Sequence, residues 1–138
     1  MKKIVTLSLI LFLGLQTVHA QLGHTRSEIT DKFGNNFYKS GTSNLGEPYV
    51  IYKTQDSSAT SGSYTKTLGF YFKKSEDGTE YCNEQLIMEP LTELNNWVEY
   101  YKGKYEEIGN MKYRDNTNKV IFKVSVIDNH CAVRIWYE

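Results

Sequence analysis

The fold class is decided by residues 119–137, which read KVIFKVSVIDNHCAVRIWY. Apolar and polar side chains alternate along Lys119 to Ile127 and again along Cys131 to Tyr137, as they do in strands with one buried face. Asp128, Asn129 and His130 separate the two runs as a turn would. One face of these runs is apolar and the other is mixed, which is typical of an antiparallel sheet covered on one side.

Runs of the same kind upstream extend this sheet. Tyr64 to Lys74 alternates with Leu68, Phe70 and Phe72 on one face. The Asp77-Gly78 pair that follows is a strong hairpin signal and predicts a partner strand at about Thr79 to Met88. Shorter runs of β type are Tyr49–Lys53 and Met111–Asp115.

Two helices are predicted. Thr25 followed three residues later by Glu28 is a capping box ahead of a short amphipathic helix, which Gly34 terminates. The second helix spans residues 91–108, where apolar positions recur every three to four residues. Gly103 is a weak point in its interior, at which the helix could end or bend.

These elements together predict one α+β domain. Residues 35–48 and 54–63 are rich in small and polar side chains and are predicted to be loops. The expected architecture is an antiparallel sheet of about six strands with two helices on one face, in the order α-β-β-β-α-β-β-β. At about 118 residues after the N-terminal leader, the chain is long enough for a single core.

That leader is predicted at residues 1–20. Lys2 and Lys3 precede an apolar run from Ile4 to Leu15, and Val18-His19-Ala20 resembles a signal-peptidase site. About 12 apolar residues are too few to cross a bilayer, which needs roughly 20. The prediction is a cleavable signal peptide and an exported domain at residues 21–138, periplasmic or extracellular, with neither a membrane span nor a lipid anchor in its mature form.

Charge and cysteine content narrow the possible functions. The chain has 16 basic and 16 acidic residues, and loss of Lys2 and Lys3 leaves 14 against 16. This balance predicts no nucleic-acid partner, because proteins that bind nucleic acids cluster Lys and Arg on one face. Two cysteines in an oxidising compartment can form one disulfide, and we predict a disulfide between Cys82 and Cys131. The alternative is that both are buried free thiols.

Recognisable catalytic machinery is missing from the sequence. There is no nucleophile elbow and no phosphate-binding glycine loop, and His24, Cys82, His130 and Cys131 include no closely spaced pair of zinc ligands. We therefore predict no catalytic residues, no metal and no cofactor, and expect a protein that is not an enzyme. A hydrolase that uses carboxylates remains a third possibility.

A binding surface is the better hypothesis. If the alternation is right, the face of the sheet opposite the helices carries Tyr71, Ile121, Lys123, Arg134 and Trp136. Aromatic rings beside arginine are the composition of interface hot spots. The hypothesis is a non-catalytic module that binds another exported protein or a cell-envelope component. The alternatives are that these rings pack under a loop or are ordinary surface, and that the protein instead binds a small ligand between helix 91–108 and the sheet.

Two resemblances point the same way. The element order looks like the β-lactamase-inhibitor-protein-like architecture, in which a helical segment precedes an antiparallel meander. The first helix also resembles the opening motif of small outer-membrane-assembly lipoproteins of the SmpA/OmlA type. The residues that carry this likeness are Gly23, Thr25, Glu28, Ile29, Phe33 and Gly34. The sequence departs from that motif at Asn35, where the family often has Pro, and in lacking the lipid-carrying Cys. The resemblance implies a non-catalytic exported module and assigns no site residues.

Overall fold

A computed structural model describes residues 21–138, so the predicted signal peptide lies outside the described residues. The first half of the domain consists of α1 (Arg26–Phe33), β1 (Lys39–Thr42), β2 (Pro48–Ser58), β3 (Gly62–Lys74) and β4 (Glu80–Pro90). The second half consists of a 3₁₀ turn (Leu91–Glu93), α2 (Leu94–Lys104), β5 (Glu106–Gly109), β6 (Lys112–Asp115), β7 (Val120–Ile127) and β8 (His130–Tyr137).

All eight strands form one antiparallel sheet in the order β1-β2-β3-β4-β8-β7-β6-β5. Each half is thus a helix followed by a four-stranded meander, and the last strands of the two halves pair at the centre. The predicted α+β class, antiparallel sheet and two helices are confirmed. The predicted count of six strands is wrong, as is the order, which is α-β-β-β-β-α-β-β-β-β.

The two unpredicted strands are the sheet edges, and each is four residues long. β1 reads Lys-Ser-Gly-Thr and is exposed throughout, so it lacks an alternating pattern. The sequence predicts the residues of β5 as part of the second helix because Ile108 continues the helical spacing. The helix instead ends at Lys104, just after Gly103, as expected where glycine weakens a helix. Short exposed edges are also how sheets avoid pairing with other chains.

The predicted loop at residues 54–63 is wrong. Most of it belongs to the long β2–β3 hairpin, in which Gln55 pairs with Thr65 and Asp56 with Tyr64. The Gln55 amide donates to the Thr65 hydroxyl at 3.0 Å. Polar side chains and threonine are compatible with a strand when both faces are solvated, and composition alone therefore misassigned the segment.

The first helix begins and ends where predicted. The Thr25 hydroxyl accepts a hydrogen bond from the Glu28 backbone N–H at 3.1 Å. Gly34 ends the helix with φ of 92°, a conformation that favours glycine. Neither helix within residues 21–138 has the length and apolarity needed to span a membrane.

Both helices pack on the same face of the sheet, which we call the inner face. One cross-strand row runs through this face from β2 to β6: Val50, Phe70, Gln85, Ile135, Phe122 and Tyr113. Every side chain in the row is buried, and Gln85 is its one polar amide. The first half of the row packs against α1 through Phe33, which lies 5.2 Å from Phe70 between ring centroids.

The second helix packs on the other half of the inner face through aromatic rings. Tyr101 stacks on Phe122 with ring centroids 4.7 Å apart, Tyr105 stacks on the same ring at 4.8 Å, and the two tyrosine rings are 6.0 Å from each other. Trp97 in turn stacks on Tyr101 at 5.5 Å. These rings occupy the space in which a ligand pocket between helix 91–108 and the sheet was predicted.

The predicted disulfide is wrong, because Cys82 and Cys131 are buried free thiols. The strand register explains why. Cys131 of β8 lies opposite Glu89 of β4, seven residues from Cys82 along the same strand. At roughly 3.3 Å per residue, the two cysteines are about 20 Å apart. A disulfide needs Cα atoms within about 7 Å.

The burial of the thiols predicts how they react. Burial raises the pKa of Cys82 to about 12 and that of Cys131 to about 11. Because the thiolate is the reactive form, we expect no labelling of the folded protein by a thiol reagent at pH 8. In guanidinium chloride without reductant, both thiols should react. Failure of the unfolded chain to react would contradict this prediction and indicate an oxidised pair.

Candidate functional site

The five residues predicted to form a binding surface lie together on the face opposite the helices, which we call the outer face. Tyr71 pairs with Glu84, Glu84 with Trp136, and Trp136 with Ile121, so one row crosses β3, β4, β8 and β7. Lys123 and Arg134 pair with each other in the neighbouring row. The alternation therefore placed these side chains on the correct face.

Their exposure differs. The Arg134 side chain is 51% exposed, and Trp136 is partly buried beside it. Ile121 is only 4% exposed, so its side chain supports the sheet and offers little surface to a partner. The Lys123 ammonium donates to the backbone carbonyl of Asn110, which holds it at the margin of the surface. The accessible part of this group is thus Arg134 with Trp136.

Further cations surround this pair. Lys112, opposite Lys123 across β6 and β7, places its Nζ 5.9 Å from the centroid of the Trp136 ring. Lys73 lines the same region from β3. We call Lys73, Lys112, Lys123, Arg134 and Trp136 the basic patch. Lys73 and Lys112 were not predicted, because only the cross-strand register shows that they are neighbours of Trp136.

One carboxylate lies inside the basic patch. The Glu84 Oε1 atom is 3.6 Å from Nη1 of Arg134. The pKa of Glu84 is raised by its burial, although the nearby guanidinium of Arg134 acts to lower it. Glu47 is close enough to act on the pKa of Glu84 as well. Four basic groups against these two carboxylates leave a positive balance, which favours an anionic partner.

A shallow depression of about 510 Å³ lies at the centre of the basic patch. It adjoins a β-bulge, at which the register between β3 and β4 shifts and Asn83 becomes the extra residue of β4. The Asn83 side chain lines the depression, and its Oδ1 is buried with no hydrogen-bond partner in the described part of the chain. Bulges of this kind often redirect side chains at functional sites.

Two tyrosines extend the outer face from β3 onto β2. Tyr71 and Tyr49 lie across β3 and β2 with ring centroids 5.8 Å apart. Burial raises the pKa of Tyr71, so its hydroxyl is neutral at physiological pH and can donate a hydrogen bond. The outer face thus continues from a cationic region into a neutral aromatic one.

No protein-family model matches this chain, and neither a curated protein nor a solved structure gives a significant match. The two resemblances noted in the sequence therefore stay expectations. Any function assigned to the outer face must rest on its own residues.

Two buried carboxylates, Glu89 and Glu93, bear on the hydrolase alternative. Glu89 accepts hydrogen bonds from the Tyr64 hydroxyl and, at 2.7 Å, from the Trp97 indole. Glu93 accepts hydrogen bonds from Ser58 and Asn96. Burial acts to raise the pKa of Glu93, but these hydrogen bonds outweigh it and lower the pKa.

A carboxylic acid that protonates a leaving group needs a raised pKa and access to substrate. Glu93 has a lowered pKa, and both carboxylates are covered and hydrogen-bonded. Their arrangement favours a structural role, in which they join β3 and α2 to the end of β4. Within residues 21–138, no three His, Cys, Asp or Glu side chains lie close enough together to hold a metal ion.

Proposed function

We propose that this protein is an exported, non-catalytic interaction module that binds an anionic partner through its outer face. The partner would be another exported protein or a cell-envelope component that presents acidic groups. The observation that carries the proposal is the exposed guanidinium of Arg134 beside the Trp136 ring, on a face that neither helix covers. Export rests on the signal predicted at residues 1–20.

The chemistry of the basic patch supports this assignment. Arginine and tryptophan are enriched among the hot-spot residues that cluster near the centre of protein interfaces. Lys112 over the Trp136 ring adds a second cation, and Asn83 offers a buried acceptor for a donor on the partner. A partner that combines carboxylates with a hydrogen-bond donor would satisfy both features.

The test is the double variant Arg134→Ala with Trp136→Ala. Because a hot-spot residue contributes 2 kcal/mol or more, we expect affinity for the partner to fall by about 30-fold or more. The measurement is capture from the exported fraction of the producing cells, at about 50 mM and again at about 300 mM salt. Contacts between charges should weaken at the higher salt.

The matched control is Leu91→Ala with Lys102→Ala. Both positions are exposed and lie outside the basic patch, one in the 3₁₀ turn and one in α2. This control should capture the same partner as the unmodified protein. Circular dichroism and thermal melting establish that both variants are folded. A folded Arg134/Trp136 double variant that captured the same partner as strongly as the control would disprove the proposal.

A further inference from the structure

A cavity of about 160 Å³ lies on the inner face, between α1 and the sheet. Its lining combines apolar side chains, from Phe33, Leu68, Phe70 and Ile87, with polar ones, from Gln21, Gln85, Lys32 and Lys66. Apolar cavities of about 150 Å³ are large enough to bind a benzene-sized molecule. The cavity is separate from the basic patch, which lies on the opposite face.

Besides Gln21, the buried amide of Gln85 supplies a polar group to this lining. Its side chain lines the cavity and is only 3% exposed. The Oε1 atom is buried and accepts no hydrogen bond from any of the described residues. A buried acceptor without a donor destabilises a folded protein, whereas an apolar side chain of similar shape would not. An amide at this position is therefore explained if a bound molecule donates a hydrogen bond to it.

Two lysines give the mouth of the cavity a positive charge. Lys32 is on the exposed side of α1, with its Nζ 5.7 Å from the Phe33 ring centroid. Lys66 lines the cavity from β3 and pairs with Asp56 at 3.3 Å. That ion pair is partly exposed, so Lys66 can exchange its partner at small cost.

We propose that this cavity binds a small aromatic carboxylate that bears a hydroxyl group. The ring would lie against Phe33 and Phe70, the hydroxyl would donate a hydrogen bond to Oε1 of Gln85, and the carboxylate would face Lys32 and Lys66. This site does not depend on the partner proposed for the outer face. The two proposals can therefore fail separately.

The probe is 4-hydroxyphenylacetate, titrated into the ¹⁵N-labelled protein and followed by NMR. For a ligand of this size we expect a Kd on the order of 0.1–1 mM, with the largest shifts at Gln85 and its neighbours. Phenylacetate lacks the hydroxyl and tyramine lacks the carboxylate. Each should bind about tenfold more weakly, because each leaves one end of the cavity without its partner.

Variants separate a ligand site from a cavity that holds only water. Gln85→Leu should abolish the preference for 4-hydroxyphenylacetate over phenylacetate and raise the melting temperature, since it removes a buried acceptor without a donor. The pair Lys32→Ala with Lys66→Ala should weaken binding about tenfold. Lys102→Ala, on the exposed side of α2, should leave it unchanged.

Absence of saturable shifts up to about 10 mM probe would overturn the proposal, and water alone would then occupy the cavity. Equal affinities for the three probes would do the same. If Gln85→Leu failed to fold, the argument from its unpartnered acceptor would be wrong, and the lysine pair would supply the remaining test. Binding that survived the loss of both lysines would also overturn the proposal.

Discussion

Replacing Tyr101 with alanine is expected to lower the free energy of unfolding by about 3–5 kcal/mol, the range for removing a buried aromatic ring. Tyr101 is 1% exposed and lies at the centre of the aromatic packing between α2 and the sheet. Its ring contacts those of Phe122, Tyr113 and Trp97. Urea denaturation followed by tryptophan fluorescence measures the loss.

Tyr101→Phe is the matched control. The Tyr101 hydroxyl is buried and has no hydrogen-bond partner among residues 21–138. Removing only this oxygen keeps the ring contacts and should leave stability unchanged or raise it by about 1 kcal/mol. A loss for Tyr101→Phe as large as that for Tyr101→Ala would mean that the hydroxyl is bonded and that ring packing is not the main contribution.

Glu89→Ala is the second substitution with a large expected effect. It leaves the indole N–H of Trp97 and the hydroxyl of Tyr64, which are both partly buried, without their acceptor. An unsatisfied buried donor costs about 1–3 kcal/mol, and partial exposure of these two donors favours the lower part of that range, so we expect a loss of about 2–4 kcal/mol in the free energy of unfolding. The same urea titration gives the value.

Two controls bracket this result. Glu89→Gln keeps one acceptor oxygen and should cost less than Glu89→Ala. Glu99→Ala, at an exposed position on α2, should stay within about 0.5 kcal/mol of the unmodified protein. If Glu89→Ala were no more destabilising than Glu99→Ala, the carboxylate would not join α2 to the sheet, and a chemical role for it would need to be considered again.

The sequence predicted well those elements whose burial differs between faces. Phe122 and Val124 alternate with Lys123 and Ser125 because only one side of β7 meets the helices, and that contrast is visible in the residues. Thr25 and Gly34 similarly mark the ends of α1 through local hydrogen bonding and backbone conformation. Local chemistry was sufficient in these places.

What the sequence could not supply was pairing over long distances. The register of β4 against β8 decides that Cys131 meets Glu89 and not Cys82, and no local pattern encodes it. The same register brings Lys112 and Lys73 to Trp136. The alternation along each strand was therefore enough to predict which face carries the candidate site. The positive charge of the site could not be predicted, because it depends on which strands are neighbours.

The β4–β8 seam has a consequence for the order in which the molecule assembles. β8 is the last strand along the chain, yet it lies beside β4 at the middle of the sheet. The first meander can form early from contacts that are near in sequence. One edge of β4 stays without a hydrogen-bonded neighbour until β8 pairs with it, and β8 follows β4 by about 40 residues. Until then Ile87 and its neighbours are open to pairing with a second chain. Slow folding, and exchange of β8 between two copies at high concentration, are therefore expected while this strand is being delivered.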